Sequence, residues 1–149
     1  KDSRYLATNN LKREHYLKLT TLDSLYYSQL TPESSSVSVE SVMSSHYNCL
    51  AWYSFLTKQF DKVYDYLLLS KKLDPKSVYP DSNIPHYYLF TNQIKKAKAE
   101  YMRLKDKPFL PDSEKFLTYK HAFLADFEEF EKEGIYSKYF DEIRRLLNK

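Results

Sequence analysis

Glycine is almost absent from this chain, with one residue, Gly134, in 149. That scarcity excludes glycine-rich phosphate loops, dinucleotide-binding turns and tight β-hairpins, all of which need backbone conformations that only glycine adopts cheaply. Cysteine is equally scarce: Cys49 stands alone, so no internal disulfide forms and the compartment is left open. No stretch has the length and apolarity of a transmembrane span, and the opening residues lack the pattern of a signal peptide. Charge of one sign is never concentrated. The 23 basic and 20 acidic residues leave a net +3 spread over both halves, without the block that marks a nucleic-acid or membrane footprint. The chain also lacks an initiating methionine, as expected of an excised domain or a processed product.

Aromatic side chains are plentiful. They make up 17% of the chain and include fifteen tyrosines, against a modest 42% hydrophobic content. Their rings supply burial that leucine and valine would otherwise give. The length suits one domain with a real core.

The stretch Asn48 to Pro75 is the most strongly patterned. Leu50, Ala51, Ser54 and Phe55 form one stripe, and Phe60, Val63, Leu67 and Ser70 form a second, each at helical spacing. The short polar link Thr57-Lys58-Gln59 predicts antiparallel neighbours, and Asp74-Pro75 ends the second helix. Elsewhere the periodicity predicts a helix from about 10 to 30, ending at QLTPES, with Pro32 in the role of Pro75. The serine-rich SSSVSVESVMSS reads as a loop plus extra turns of the next helix, from about 39 to 57, in preference to a strand on Val37, Val39 and Val42. After a second helix at 60–73 comes a connector over 76–82. A helix with Pro85 as its first residue is then expected to run to Thr91, followed by one from 93 to 105. Asp112 or Ser113 is the expected cap of a helix reaching about 133, Gly134 its left-handed stop, and 137–147 a closing helix.

Shifted by thirty-four residues, KQFDKVYDYLLLS falls on NQIKKAKAEYMRL, pairing Phe60 with Ile94, Val63 with Ala97, Leu67 with Tyr101 and Ser70 with Leu104. That period, with small residues at Ala51 and Ala97 and a terminal Pro75, resembles the tetratricopeptide repeat (TPR). Val63 departs from the family's usual alanine, and Pro85 from its usual small residue. The resemblance implies an all-α, right-handed α-α superhelix of antiparallel helix pairs. An incomplete repeat would occupy about 10–34, a clear one 39–77, a second 78–110, and capping helices 112–149. The tail HAFLADFEEFEKEGIYSKYFDEIRRLLNK resembles the closing segment of bacterial proteins of this repeat type, especially those of the Bacteroidota, which implies a natural C-terminus.

Candidate chemistry is sparse. His46 and Cys49 share a helix face and can pair or touch a metal, but the sequence nearby supplies no further ligands. His15, His86 and His121 are isolated. Asp126, Glu128, Glu129, Glu131 and Glu133 read as the solvated side of a helix whose other side is Phe123, Phe127 and Phe130. Lys95, Lys96, Lys98 and Arg103 are interrupted by Glu100 and Asp106. No nucleophile, base and oxyanion motif converge, so no enzyme, metal or cofactor role is expected. The resemblance instead implies a protein or peptide partner held on the inner face of the first helix of each repeat. Carried onto this sequence, that face is Asn48, Trp52 and Phe55, then His86 and Leu89, then Lys115 and Tyr119. Only Asn48 and Lys115 suit the carboxylate-gripping version of that groove, whereas Trp52 and Phe55 suit an apolar or aromatic segment. The other reading is a spacer or regulatory domain of a larger protein whose activity lies upstream.

Overall fold

The structure, a computed structural model, describes residues 3–26 and 38–149. Seven helices account for most of the described chain: α1 (Ser3–Tyr26), α2 (Val39–Leu56), α3 (Val63–Leu73), α4 (Tyr79–Phe90), α5 (Ile94–Leu104), α6 (Tyr119–Lys132) and α7 (Phe140–Leu147). The all-α expectation holds among these residues. The echo of QLTPES with Pro32 and the first part of the serine-rich segment lie outside them. The chain divides into two compact units, one ending at residue 83 and one beginning at residue 84, so α4 contributes to both.

In the first unit α2 begins where Ser38 caps it, its hydroxyl accepting the Ser41 N–H at 3.1 Å. Helices α2 and α3 pack through Leu50, Ala51, Phe55, Val63 and Leu67, all fully buried. Two buried serines bolt the crossing. The Ser44 hydroxyl donates to the Ser70 carbonyl and the Ser70 hydroxyl to the Ser44 carbonyl, each at 2.8 Å. Small side chains at both positions allow that approach, and the reciprocal bonds satisfy two hydroxyls that would be costly to bury alone.

Helix α1 lies on α2 by a polar and aromatic seam. Tyr16 stacks on Tyr53 with centroids 5.7 Å apart, Arg13 donates to the Ser54 hydroxyl at 3.1 Å, and Asp23 bonds His46. Five of the six leucines of α1 turn elsewhere: Leu6, Leu11, Leu17, Leu22 and Leu25 are exposed, and Leu19 is half-buried.

In the second unit the core is aromatic. Tyr101, Phe123, Phe127 and Phe130 are buried with Ala97, Leu104, Ile143 and Leu147. Tyr101 meets Phe123 edge-on at 4.8 Å, and Phe127 stacks on Phe140 at 4.6 Å. Arg144 lies over both Phe127 and Phe140 while its guanidinium bonds Glu131 at 2.7 Å.

The hairpin α2–α3 of the first unit and the hairpin α4–α5 are built by one local plan. In the first, Lys58 takes a left-handed backbone (φ 57°), and the Gln59 N–H reaches back to the Ser54 carbonyl at 2.8 Å. Thirty-four residues later Asn92 is left-handed (φ 60°) and the Gln93 N–H reaches the Tyr88 carbonyl at 2.8 Å. The threonine hydroxyls repeat as well, Thr57 donating to the Tyr53 carbonyl at 2.8 Å and Thr91 to that of Tyr87 at 2.7 Å. In both turns the glutamine amide then bonds the threonine hydroxyl. A six-to-one backbone bond over a left-handed residue is the Schellman ending of a helix. At Gly134 (φ 74°) the Ile135 N–H closes the same loop onto the Phe130 carbonyl at 2.8 Å.

Five helix starts differ from the sequence reading by more than one residue: α3 begins at Val63 rather than 60 and α7 at Phe140 rather than 137, and three others differ by more. Helix α4 starts at Tyr79, so residues 79–82 are helical and Pro85 lies inside the helix. Pro80 takes the first-turn place where a missing N–H costs nothing, and Pro85 forgoes only the bond to the Asp81 carbonyl. Helix α6 starts at Tyr119 and not near Ser113. Residues 108–118 fold instead into a short antiparallel bridge. The Phe109 and Leu110 N–H groups bond the Leu117 and Phe116 carbonyls, each at 2.9 Å, and Ser113 caps a turn at Phe116. Helix α1 begins at Ser3, well before residue 10.

Lysine in the left-handed region carries a steric cost that glycine avoids, partly offset by the extra freedom glycine brings to the unfolded chain. Lys58→Gly should therefore raise unfolding stability by up to about 1 kcal/mol, read by urea denaturation. A loss of stability would contradict the assigned turn.

Candidate functional site

The seven residues expected to line a groove have different fates. In the first unit Phe55 is fully buried, its ring 6.3 Å from Phe60, while Asn48 and Trp52 are half-buried one helical turn apart on α2. In the second unit His86, Leu89 and Tyr119 are interior, and Lys115 is exposed, its ammonium 5.1 Å from the Phe116 ring centroid. Phe55, His86, Leu89 and Tyr119 thus hold helices together. Asn48, Trp52 and Lys115 reach the surface.

Asn48 has a partner that the sequence did not suggest. The Asn83 side-chain amide, at the end of the first unit, donates to the Asn48 amide oxygen at 3.0 Å and to the Tyr79 carbonyl at 3.2 Å. The Asn83 amide oxygen is buried and has no hydrogen-bond partner, the one such side-chain atom among the described residues. The bond from Asn83 occupies the Asn48 oxygen and turns the Asn48 NH2 group away from it. A donor amide therefore lies one turn from Trp52.

His46 and Cys49 do not form a nucleophilic pair. The His46 Nδ1 is 2.7 Å from the Asp23 carboxylate, which fixes it as the donor there. Burial pushes the Cys49 thiol up from its ordinary pKa, an effect only partly offset by its hydrogen bond with the Tyr16 hydroxyl. A thiol held protonated is a poor nucleophile and a poor ligand. No cluster of three or more metal-ligating side chains occurs among the described residues. His15 is exposed against the Tyr16 ring. His121 caps α6, its Nδ1 accepting the Thr118 N–H at 3.3 Å in the place usually taken by Glu or Gln.

His86 is the most constrained ionisable group in the second unit. Its Nε2 lies 3.0 Å from the Asp126 carboxylate and its Nδ1 lies 2.7 Å from the Tyr101 hydroxyl. Carboxylates accept only, so Nε2 carries the hydrogen, and in the neutral imidazole Tyr101 donates to Nδ1. Three phenylalanines, Phe123, Phe127 and Phe130, present edges around the imidazole at 5.1–5.9 Å. Burial, and then the Asp126 charge, raise the Tyr101 pKa well above its ordinary value, so the hydroxyl stays a donor. Asp126 is therefore a partner of the core and not one of a row of solvated carboxylates. The remaining acids of α6 are largely occupied at the surface, Glu131 by Arg144 and Glu129 by Lys132. Lys98 pairs with Glu142 at 2.6 Å and Arg103 with Glu100, so the basic residues of α5 do not form an open cationic patch.

No family model, curated protein or solved structure matches this chain. No helix among the described residues is long and apolar enough to cross a membrane.

The Tyr101–His86–Asp126 chain has a clear energetic signature. Tyr101→Phe strands the buried His86 Nδ1 and should cost about 1–3 kcal/mol, the usual penalty for an unsatisfied buried acceptor. Adding His86→Phe removes the stranded group, so in a double-mutant cycle the pair should cost less than the sum of the singles. Additive losses would show that the three groups are not coupled.

Proposed function

We propose that this chain is a tetratricopeptide-like interaction module that holds an extended peptide segment of a partner protein against the half-buried Asn48–Trp52 face of α2. The observation that carries this reading is the hairpin repeated at thirty-four residues, with the same left-handed position and the same six-to-one bond in each copy. A period of that length built from helix pairs is the signature of a repeat scaffold, and such scaffolds serve chiefly as binding surfaces. The raised thiol of Cys49 and the occupied carboxylates of α6 speak against chemistry at those groups.

The recognition chemistry is that of Asn48 and Trp52. The Asn48 amide NH2 suits a peptide carbonyl, and the neighbouring indole suits an apolar or aromatic side chain of the same segment. Neither residue carries charge, so an uncharged, extended stretch with a bulky apolar anchor is the class of ligand that fits.

Selection of displayed random peptides on the intact chain tests the proposal. Enriched sequences should carry a bulky apolar anchor, and Trp52→Ala should weaken their binding by about 2 kcal/mol or more without changing helix content. Failure to enrich any peptide, or binding unaffected by Trp52→Ala and Asn48→Ala, would leave the chain as a spacer and overturn the reading.

A further inference from the structure

Helix α1 packs on α2 by Arg13, Tyr16 and Asp23, buries Asn9 and Thr20, and turns a second, unbroken stripe to solvent. That stripe follows the three-four spacing of a coiled-coil seam: Ala7, Leu11, Glu14, Lys18, Thr21 and Leu25, every one of them exposed. Leu11 is 67% and Leu25 65% accessible, and Leu17 and Leu22 flank them at 39% and 49%. Five exposed leucines on one described helix are more than scattered surface apolarity accounts for.

We infer that α1 pairs antiparallel with α1 of a second copy of this chain, through the seam from Ala7 to Leu25. The charges on the seam select that partner. With a two-fold axis passing near residue 16, Glu14 of each copy faces Lys18 of the other, so two opposite-charge pairs form across the axis. The same register sets Ala7 against Leu25 and Leu11 against Thr21. Leu17, beside the axis, meets its own equivalent. A parallel pairing in register would instead set Glu14 against Glu14 and Lys18 against Lys18, which is repulsive twice over. A polar layer of this kind fixes orientation and register at some cost in affinity. Neither Glu14 nor Lys18 has an ion-pair or hydrogen-bond partner among the described residues.

A second feature falls in the same register. Leu17, Lys18, Thr21 and Leu22 surround a shallow, mainly apolar depression on α1. In this register Leu11 of the second copy lies opposite Thr21, on the rim of that depression. The helix is only about 36 Å long, so the face falls short of the roughly 800 Å² per partner of a standard interface. The association is therefore weak and reversible, and it is sought at high protein concentration.

Sedimentation equilibrium of the intact chain up to about 0.5 mM, where interfaces of this small size populate, should show a monomer–dimer equilibrium. Glu14→Lys alone and Lys18→Glu alone should each weaken it about tenfold or more, because each sets like charges across the axis. An equimolar mixture of the two single variants should regain association, since every cross-axis pair in the heterodimer is again opposite in sign. The double variant E14K/K18E should dimerise like the parent. These residues are exposed, so the folded state of each variant is checked directly by circular dichroism. A chain monomeric throughout this range would overturn the proposal, as would a dimer insensitive to the reversals or to Leu11→Asp. A monomer that instead binds phosphatidylcholine vesicles would assign the stripe to a lipid surface and overturn it as well.

Discussion

A helix that ends in a left-handed residue folds the following chain back along itself, and among the described residues three helices end that way by the same six-to-one backbone bond. The closing N–H groups belong to Gln59, Gln93 and Ile135, and the left-handed residues are Lys58, Asn92 and Gly134. Only the last is the residue that steric considerations prefer. Keeping lysine and asparagine there requires that the rest of each turn hold them. The threonine hydroxyl bound to its own helix and the glutamine amide bound to that hydroxyl do so. Hairpin geometry then decides which faces of α2 and α3, and of α4 and α5, are brought together.

What those faces contain differs between the units. In the first, Leu50, Ala51, Phe55, Val63 and Leu67 fill the crossing, and Ser44 and Ser70 exchange hydroxyl–carbonyl bonds where an aliphatic pair would hold the helices apart. In the second, bulky aromatics fill the core, and one buried imidazole threads between them. His86 is tolerated there because Tyr101 and Asp126 satisfy both its nitrogens. A core this rich in rings is orientationally demanding, and a satisfied polar node restricts the ways it can pack.

The helices were legible in the sequence wherever apolar spacing was strong. The stripes at Leu50, Ala51, Phe55, Val63 and Leu67, and at Ala97, Tyr101 and Leu104, are the observed cores. The Thr57-Lys58-Gln59 link was legible as a turn, but polar turn residues carry no periodicity, so its recurrence as TNQ at 91–93 stood out only in the structure. Boundaries near proline failed for local reasons. Ser113 is a good cap residue, yet the bridge between 108 and 118 claims it for a turn. Pro85 satisfies a first-turn rule that Pro80 already fulfils. The fate of the candidate site residues was the least legible part. Periodicity shows that Phe55, His86, Leu89 and Tyr119 share faces with their neighbours, but not that those faces point inward. The partners of His86 stand 15 and 40 residues away, beyond any local pattern.

The central claim is that one turn, built twice at a thirty-four-residue offset, sets both hairpins. Native-state amide hydrogen exchange at Gln59 and Gln93 addresses it most directly, because each N–H has a single assigned acceptor, the Ser54 and Tyr88 carbonyls. Both amides should be protected to the level of the adjoining helices, although both follow a left-handed residue in an exposed turn. Exchange at the rate of open loop amides at either position would contradict the account.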